Sequence, residues 1–125
     1  MSTKIPEGYQ TVMPYLILKN AGAFIEFTQK VFNASLLNKH MRDETSIMHG
    51  EIKIGDSVIM FADSTEQYPP QPAGFFINVD NADEVYNNAL ANGASAVTPV
   101  SDQSYGRTGG VKDAFENTWW ITTAV

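Results

Sequence analysis

The chain is predicted to be α+β, built as two copies of a strand, a helix and three further strands. Two observations predict this. Hydrophobic spacing runs from period two to helical spacing and back again twice within 125 residues. The candidate helix starts, Asn20 and Asn81, stand about sixty residues apart, which with only two copies describes a duplicated module and not a solenoid.

In the first copy, the apolar run from Thr11 to Lys19 reads as a buried or half-buried strand. Asn20 opens a helix whose Phe24, Phe27, Thr28 and Val31 recur at three- and four-residue spacing, and Phe32 marks its end. Spacing then returns to period two over Ser35 to Arg42, Ser46 to Ile54 and Ser57 to Asp63. The turn-prone pairs Asp43-Glu44 and Gly55-Asp56 separate these three strands into a meander. In the second copy, Phe75 to Val79 is the leading strand. Asn81 and Glu84 form a capping-box pair, Ala82, Val85, Tyr86 and Ala89 form the apolar stripe, and Gly93 is suited to the left-handed stop. Ala94 to Val100, Gly109 to Asp113 and Thr118 to Thr123 complete the second meander.

Between the copies, Gln67 to Pro72 is proline-rich, and it is expected to be a stiff, extended crossover with no part in a sheet ladder. The organisation predicted is one domain, 1–125, with module one at 11–64, linker 65–72 and module two at 73–125. A module of roughly sixty residues buries only about 60% of its unfolded surface, so the two are expected to share an interface.

Composition narrows the function. With 43% hydrophobic residues and 18% charged, the chain is an ordinary globular domain able to bury a core. Nothing in Met1 to Gly8 resembles a signal segment and no run approaches a membrane span, so a cytoplasmic protein without membrane contact is expected. A net charge of −6 opposes polyphosphate binding, and nucleic acid is not an expected partner. The absence of cysteine removes disulfides, thiolate metal sites and thiol nucleophiles.

Several motifs, in this order, carry a family resemblance: Met13-Pro14-Tyr15-Leu16, Ile25-Glu26-Phe27, Val31-Phe32, His49-Gly50-Glu51-Ile52, Gly55 to Met60, and Gly109 to Asp113 followed by Trp119-Trp120-Ile121. The chain resembles the glyoxalase/bleomycin-resistance/dioxygenase, or vicinal oxygen chelate, superfamily. Within it, the closest likeness is to the PhnB-like branch, also called demethylubiquinone methyltransferase-like. The resemblance implies paired βαβββ modules whose curved sheets form a shared cavity, and a homodimer. It also implies four metal-ligand positions, which fall here at Met13, Met60, Gly74 and Trp120. Thioethers, a glycine and an indole make no site for a hard or borderline divalent cation, so no metal is expected. No cofactor is expected either. A nucleotide-binding strand opening through a glycine-rich turn into a helix is missing, so adenosylmethionine is not implied by the branch's label.

If the metal-ligand positions implied by the resemblance face the cavity, period-two alternation brings Met13, Tyr15 and Ile17 together with Met60, Phe76, Asn78, Trp120 and Thr122 as lining of an apolar, aromatic pocket, although such side chains also serve as plain core. His49 is the candidate catalytic residue. It shares a strand face with Glu51, and it matches a histidine typical of the branch; a half-exposed strand histidine with no chemistry is the plainer reading. Arg107, similarly matched, is a candidate clamp for a carboxylate or phosphate, or else an ion-pair partner. Asp113-Ala114-Phe115-Glu116-Asn117 replaces the Asp-Pro-Phe-Gly-His usual in the family, and Asn117 is the residue expected to accept a positive φ. The function expected is a metal-free small-molecule-binding protein. The alternatives are a metal-dependent lyase or dioxygenase with displaced ligands, and a metal-free enzyme using His49 as base.

Overall fold

Both predicted helix starts are capped by asparagine. In the computed structural model, which describes residues 4–125, Asn20 takes a left-handed conformation (φ 61°) and its side chain accepts from Ala23 N at 3.3 Å. Asn81 accepts from Glu84 N at 3.1 Å. The expectation about a signal segment falls partly on residues 1–3, which lie outside the described residues.

In chain order the elements are β1 (Tyr15–Leu18), α1 (Ala21–Phe32), β2 (Ser35–Met41), β3 (Ile47–Ile54), β4 (Ser57–Asp63), β5 (Gly74–Asn78), α2 (Ala82–Ala91), β6 (Ser95–Gln103), β7 (Gly106–Lys112) and β8 (Thr118–Ala124). They form two βαβββ modules. One sheet has the order β1-β4-β3-β2 and the other β5-β8-β7-β6. In each, the first strand runs parallel to the last and the rest pair antiparallel. The chain divides into two compact units: one runs through Gln29 and resumes over Asn33–Gln71, the other comprises Lys30–Phe32 and Pro72–Val125.

In unit one, Leu16, Leu18, Ile52, Ile59 and Phe61 are buried on one sheet face, and Phe24 of α1 meets Phe61 edge to face with ring centroids 5.4 Å apart. Phe27, Thr28 and Val31 complete the buried helix stripe. Burial of each such apolar side chain contributes about 1.5–3 kcal/mol. Gly50 of β3 has no side chain because Phe61 occupies that space; a Cβ there would sit 2.5 Å from the ring. In unit two the buried set is Val111, Trp119 and Ile121 with Ala82, Tyr86 and Ala89 of α2. Phe75 and Phe32 stack on Trp119 at centroid distances of 4.3 and 4.4 Å.

Each module ties its last strand to the start of its own helix. Asp63, ending β4, accepts from Ala21 N and from Ile47 N, both at 2.7 Å. Near the end of β8, Thr123 accepts from Ala82 N at 2.8 Å. Both satisfy a donor that a helix N-terminus leaves orphaned, and Asp63 adds a negative charge where the dipole favours one.

The structure departs from expectation in the second meander, where β6 runs on to Gln103 and β7 already begins at Gly106, and at four further places. The first strand is only four residues long: Pro14 has no N–H to offer a ladder, although its carbonyl accepts from Met60 N at 3.0 Å. Gln71 does join a ladder, bridging Ile17 with Gln71 N donating to Ile17 O at 2.8 Å, because it has a free N–H despite its proline neighbours. Met48, which alternation puts on the strand face opposite His49 and Glu51 and so against the helix, is 53% exposed. The positive φ of the β7–β8 turn is at Glu116 (74°) and not at Asn117. Asn117 is fully buried and bonded through both side-chain polar atoms: its Nδ2 donates to Asp113 at 2.9 Å and its Oδ1 accepts from Ala73 N at 2.9 Å. Glu116 stands where the family pattern has glycine.

Two substitutions read out these constraints. Glu116→Gly is expected to raise stability by about 1 kcal/mol by relieving the left-handed strain. Gly50→Ala is expected to lower it by about 1–3 kcal/mol through overpacking against Phe61. Urea denaturation of the two variants beside the wild type measures both.

Candidate functional site

Strand register builds a row across sheet one. Tyr15 pairs with Met60, Met60 with Glu51, and Glu51 with Asn38, so the four stand side by side on β1, β4, β3 and β2. The face they share is opposite the one packed with Phe61 and Phe24; it is called the open face below. His49 lies on it two residues from Glu51, paired with His40 of β2.

Despite that name, Glu51 is only 5% exposed. A buried carboxylate needs donors, and three converge on it. Tyr9 Oη and Asn38 Nδ2 (2.9 Å) donate to Oε1, and His49 Nε2 lies 2.7 Å from Oε2. Burial, the largest single influence, disfavours the charged form; the bonds from Tyr9, His49 and Asn38 together outweigh it and hold the carboxyl below its usual range. The Tyr9 phenol is pushed up, first by its bond to Glu51 and then by burial, so it stays a donor. On the other side of the His49 ring, Nδ1 lies 3.1 Å from Tyr15 Oη. The result is a continuous chain from Glu51 through His49 to Tyr15, a residue 47% exposed. His40 is exposed, its ring centroid 6.5 Å from that of His49.

Sheet two repeats the row with different chemistry. Phe76 pairs with Trp120, Trp120 with Gly110, and Gly110 with Thr98. Where unit one has Glu51, unit two has Gly110. The Trp120 indole lies across it, so that a Cβ on Gly110 would be 2.5 Å from the ring. Phe76 is 57% and Trp120 37% exposed, and Tyr105 approaches Phe76 with centroids 6.2 Å apart. Two residues along the same face, the Thr108 and Thr122 hydroxyls bond to each other at 2.7 Å. Asn78 is exposed at the end of β5, opposite Thr122.

Within unit one the structure therefore joins Tyr15, His49, Glu51 and Met60; within unit two it joins Phe76, Trp120 and Asn78. Met13 is half-buried and precedes β1. Arg107 lies elsewhere. Its Nε and Nη2 donate to Asp83 at 2.6 and 3.0 Å and its Nη1 to Asp102 at 3.1 Å. These bonds raise the guanidinium pKa and, led by the bond from Arg107, lower that of Asp83. Arg107 shares a strand face with Gly109, which packs against Tyr86 of α2, and so is turned away from Phe76 and Trp120. Tyr9 and Asn38 were not anticipated. Tyr9 precedes the repeat and no periodicity marks it, whereas alternation with His40 was a usable signal for Asn38.

The four implied metal positions do not fit a divalent cation. Met60 and Trp120 are on open faces, Gly74 begins β5, and none of the four side chains is an oxygen or imidazole donor. Among the described residues, no three His, Asp or Glu side chains are grouped to hold a metal. No helix among them is long and apolar enough to cross a membrane.

The family model of the Glyoxalase/Bleomycin resistance protein/Dioxygenase superfamily matches residues 10–121. Among solved structures, TioX from Micromonospora sp. ML1 is similar with a TM-score of 0.76 and 22% identity, over 93% of this chain and 100% of that one. The PhnB protein of Bacillus cereus follows the same fold with a TM-score of 0.72 and 16% identity, over 92% and 100%. TnmS3, an antibiotic binding protein from Streptomyces sp. CB03234, does so at 0.71 and 13%, over 94% and 100%.

The depressed Glu51 carboxyl gives a pH signature. A group whose folded pKa is lowered stabilises the protein above the ordinary carboxylate range, and that contribution is lost as pH falls through the folded value. Glu51→Gln is expected to cost about 1–3 kcal/mol near neutral pH. Thermal melts of both proteins as a function of pH should show the gap closing below about pH 4. A gap independent of pH would contradict the assignment.

Proposed function

The chain belongs to the glyoxalase/bleomycin resistance protein/dioxygenase superfamily, and we propose that it is a metal-free member that binds a small, flat, partly apolar molecule. One observation carries the reading: at the same register position in both repeats, an exposed aromatic ring stands on the open sheet face. Tyr15 is that ring in unit one and Phe76 in unit two, the latter extended by Trp120. Rigid aromatic surface left in water is matched to stacking with a planar ligand. That TnmS3, of similar fold, is an antibiotic binding protein bears on the class of ligand. The metal-free part rests on the donor chemistry at Met13, Met60, Gly74 and Trp120. The homodimer implied by the resemblance belongs to the same proposal, supported by the exposed Leu36, Leu37 and Met41 along the outer strand β2.

A second reading, metal-free catalysis with His49 as base, is favoured by the Glu51–His49–Tyr15 chain. A carboxylate behind an imidazole orients the ring and fixes which nitrogen carries the hydrogen. Under this reading His49→Ala abolishes turnover of a bound substrate while leaving its binding in place.

Titration with two- and three-ring aromatic compounds tests the main proposal. Saturable quenching of tryptophan emission is expected together with a raised melting temperature, and Trp120→Ala should weaken affinity about tenfold, as loss of one stacking contact of roughly 1.4 kcal/mol would. No saturable response from any compound, or an affinity unchanged by Trp120→Ala, would sink it.

A further inference from the structure

We propose that the open face of unit one selects ligands carrying a hydrogen-bond donor, a hydroxyl or N–H on an aromatic frame, and receives that donor on the Tyr15 oxygen. The inference rests on the binding function proposed above and adds the class of ligand.

Proton placement along the chain leads to it. Ionised Glu51 can only accept, so the hydrogen between it and His49 belongs to Nε2. In the neutral ring Nδ1 is then a lone pair, and the only hydrogen available to the 3.1 Å contact is that of the Tyr15 hydroxyl. With its hydrogen spent inward, the Tyr15 oxygen presents lone pairs outward, on a residue 47% exposed. A partner must bring the hydrogen. His49 meets no ligand directly, since both its nitrogens are engaged; it and Glu51 are positioning residues and Tyr15 is the contact.

Asn38 points the same way. Its Nδ2 is held by Glu51 Oε1 at 2.9 Å. Flipping the amide would set a carbonyl against a carboxylate, so the orientation is fixed. Its Oδ1 is thereby left buried and accepts no hydrogen bond from the described residues. Gln10 Oε1, on the segment that carries Tyr9, is buried in the same condition while its Nε2 donates to Val58 O at 2.9 Å. Both orphaned atoms are acceptors. A buried acceptor without a donor is costly, and among the described residues the deficit has one sign: donors are short, not acceptors.

Matched probes test the inference. Calorimetric titration at neutral pH with 2-naphthol and with its methyl ether, 2-methoxynaphthalene, compares two ligands of one shape that differ in the donor. The wild type is expected to bind naphthol about tenfold more tightly, worth roughly 1.4 kcal/mol. Tyr15→Phe should bring the ratio near one by weakening naphthol more than the ether, a pattern that general loss of structure would not produce. Equal binding of both probes by the wild type overturns the donor inference alone. A ratio unaffected by Tyr15→Phe overturns the assignment to Tyr15. Failure of both probes to bind overturns this inference, and with no response across the wider aromatic panel it overturns the binding function as well.

Discussion

Glu51 is the constraint on which the first unit depends. A carboxylate at 5% exposure is tolerable only when its lone pairs are filled, and filling them recruits β2 through Asn38, β3 through His49 and the leading segment through Tyr9. The same demand fixes the His49 tautomer and thereby turns the Tyr15 hydroxyl inward. One buried charge thus orders a strand edge, a terminal segment and the polarity of an exposed face.

Duplication explains why this charge is not repeated. The two rows, Tyr15–Met60–Glu51–Asn38 and Phe76–Trp120–Gly110–Thr98, occupy the same register in sheets of the same order. Removing the side chain at position 110 lets Trp120 lie flat across the sheet, so unit two exposes ring surface where unit one exposes a tuned oxygen. The shared scaffold survives because its supports are on other atoms. Asp63 and Thr123 cap the helices from the last strands, and Asp113 gathers the β7–β8 turn by accepting from Phe115 N, Asn117 N, Asn117 Nδ2 and Trp119 Nε1.

Much of the fold was legible because it is local. The Asn20 and Asn81 caps, the stripe of Phe24, Phe27, Thr28 and Val31, and the strand Ser57 to Asp63 follow from spacing and from side-chain chemistry within a turn or two. What escaped depends on partners distant in sequence. Gln71 joins Ile17, and Tyr9 reaches Glu51 across 42 positions. Period two correctly put His49 and Glu51 on one face, yet alternation reports direction and not burial, so the depth of Glu51 and its saturation by donors were invisible. At the β7–β8 turn, propensity favoured Asn117 for the positive φ, but the tertiary demand for its amide moved that conformation to Glu116.

The polarity of the Glu51–His49–Tyr15 chain is most directly tested by the imidazole nitrogens themselves. Long-range proton–nitrogen NMR correlation of selectively labelled protein, at a pH where the ring is neutral, distinguishes the two tautomers of His49. Hydrogen on Nε2, with Nδ1 shifted as an acceptor and that shift altered by Tyr15→Phe, is the result predicted. Hydrogen on Nδ1 would mean that Tyr15 accepts from His49 and points its own hydrogen outward, and the proposed preference for donor-bearing ligands would be contradicted.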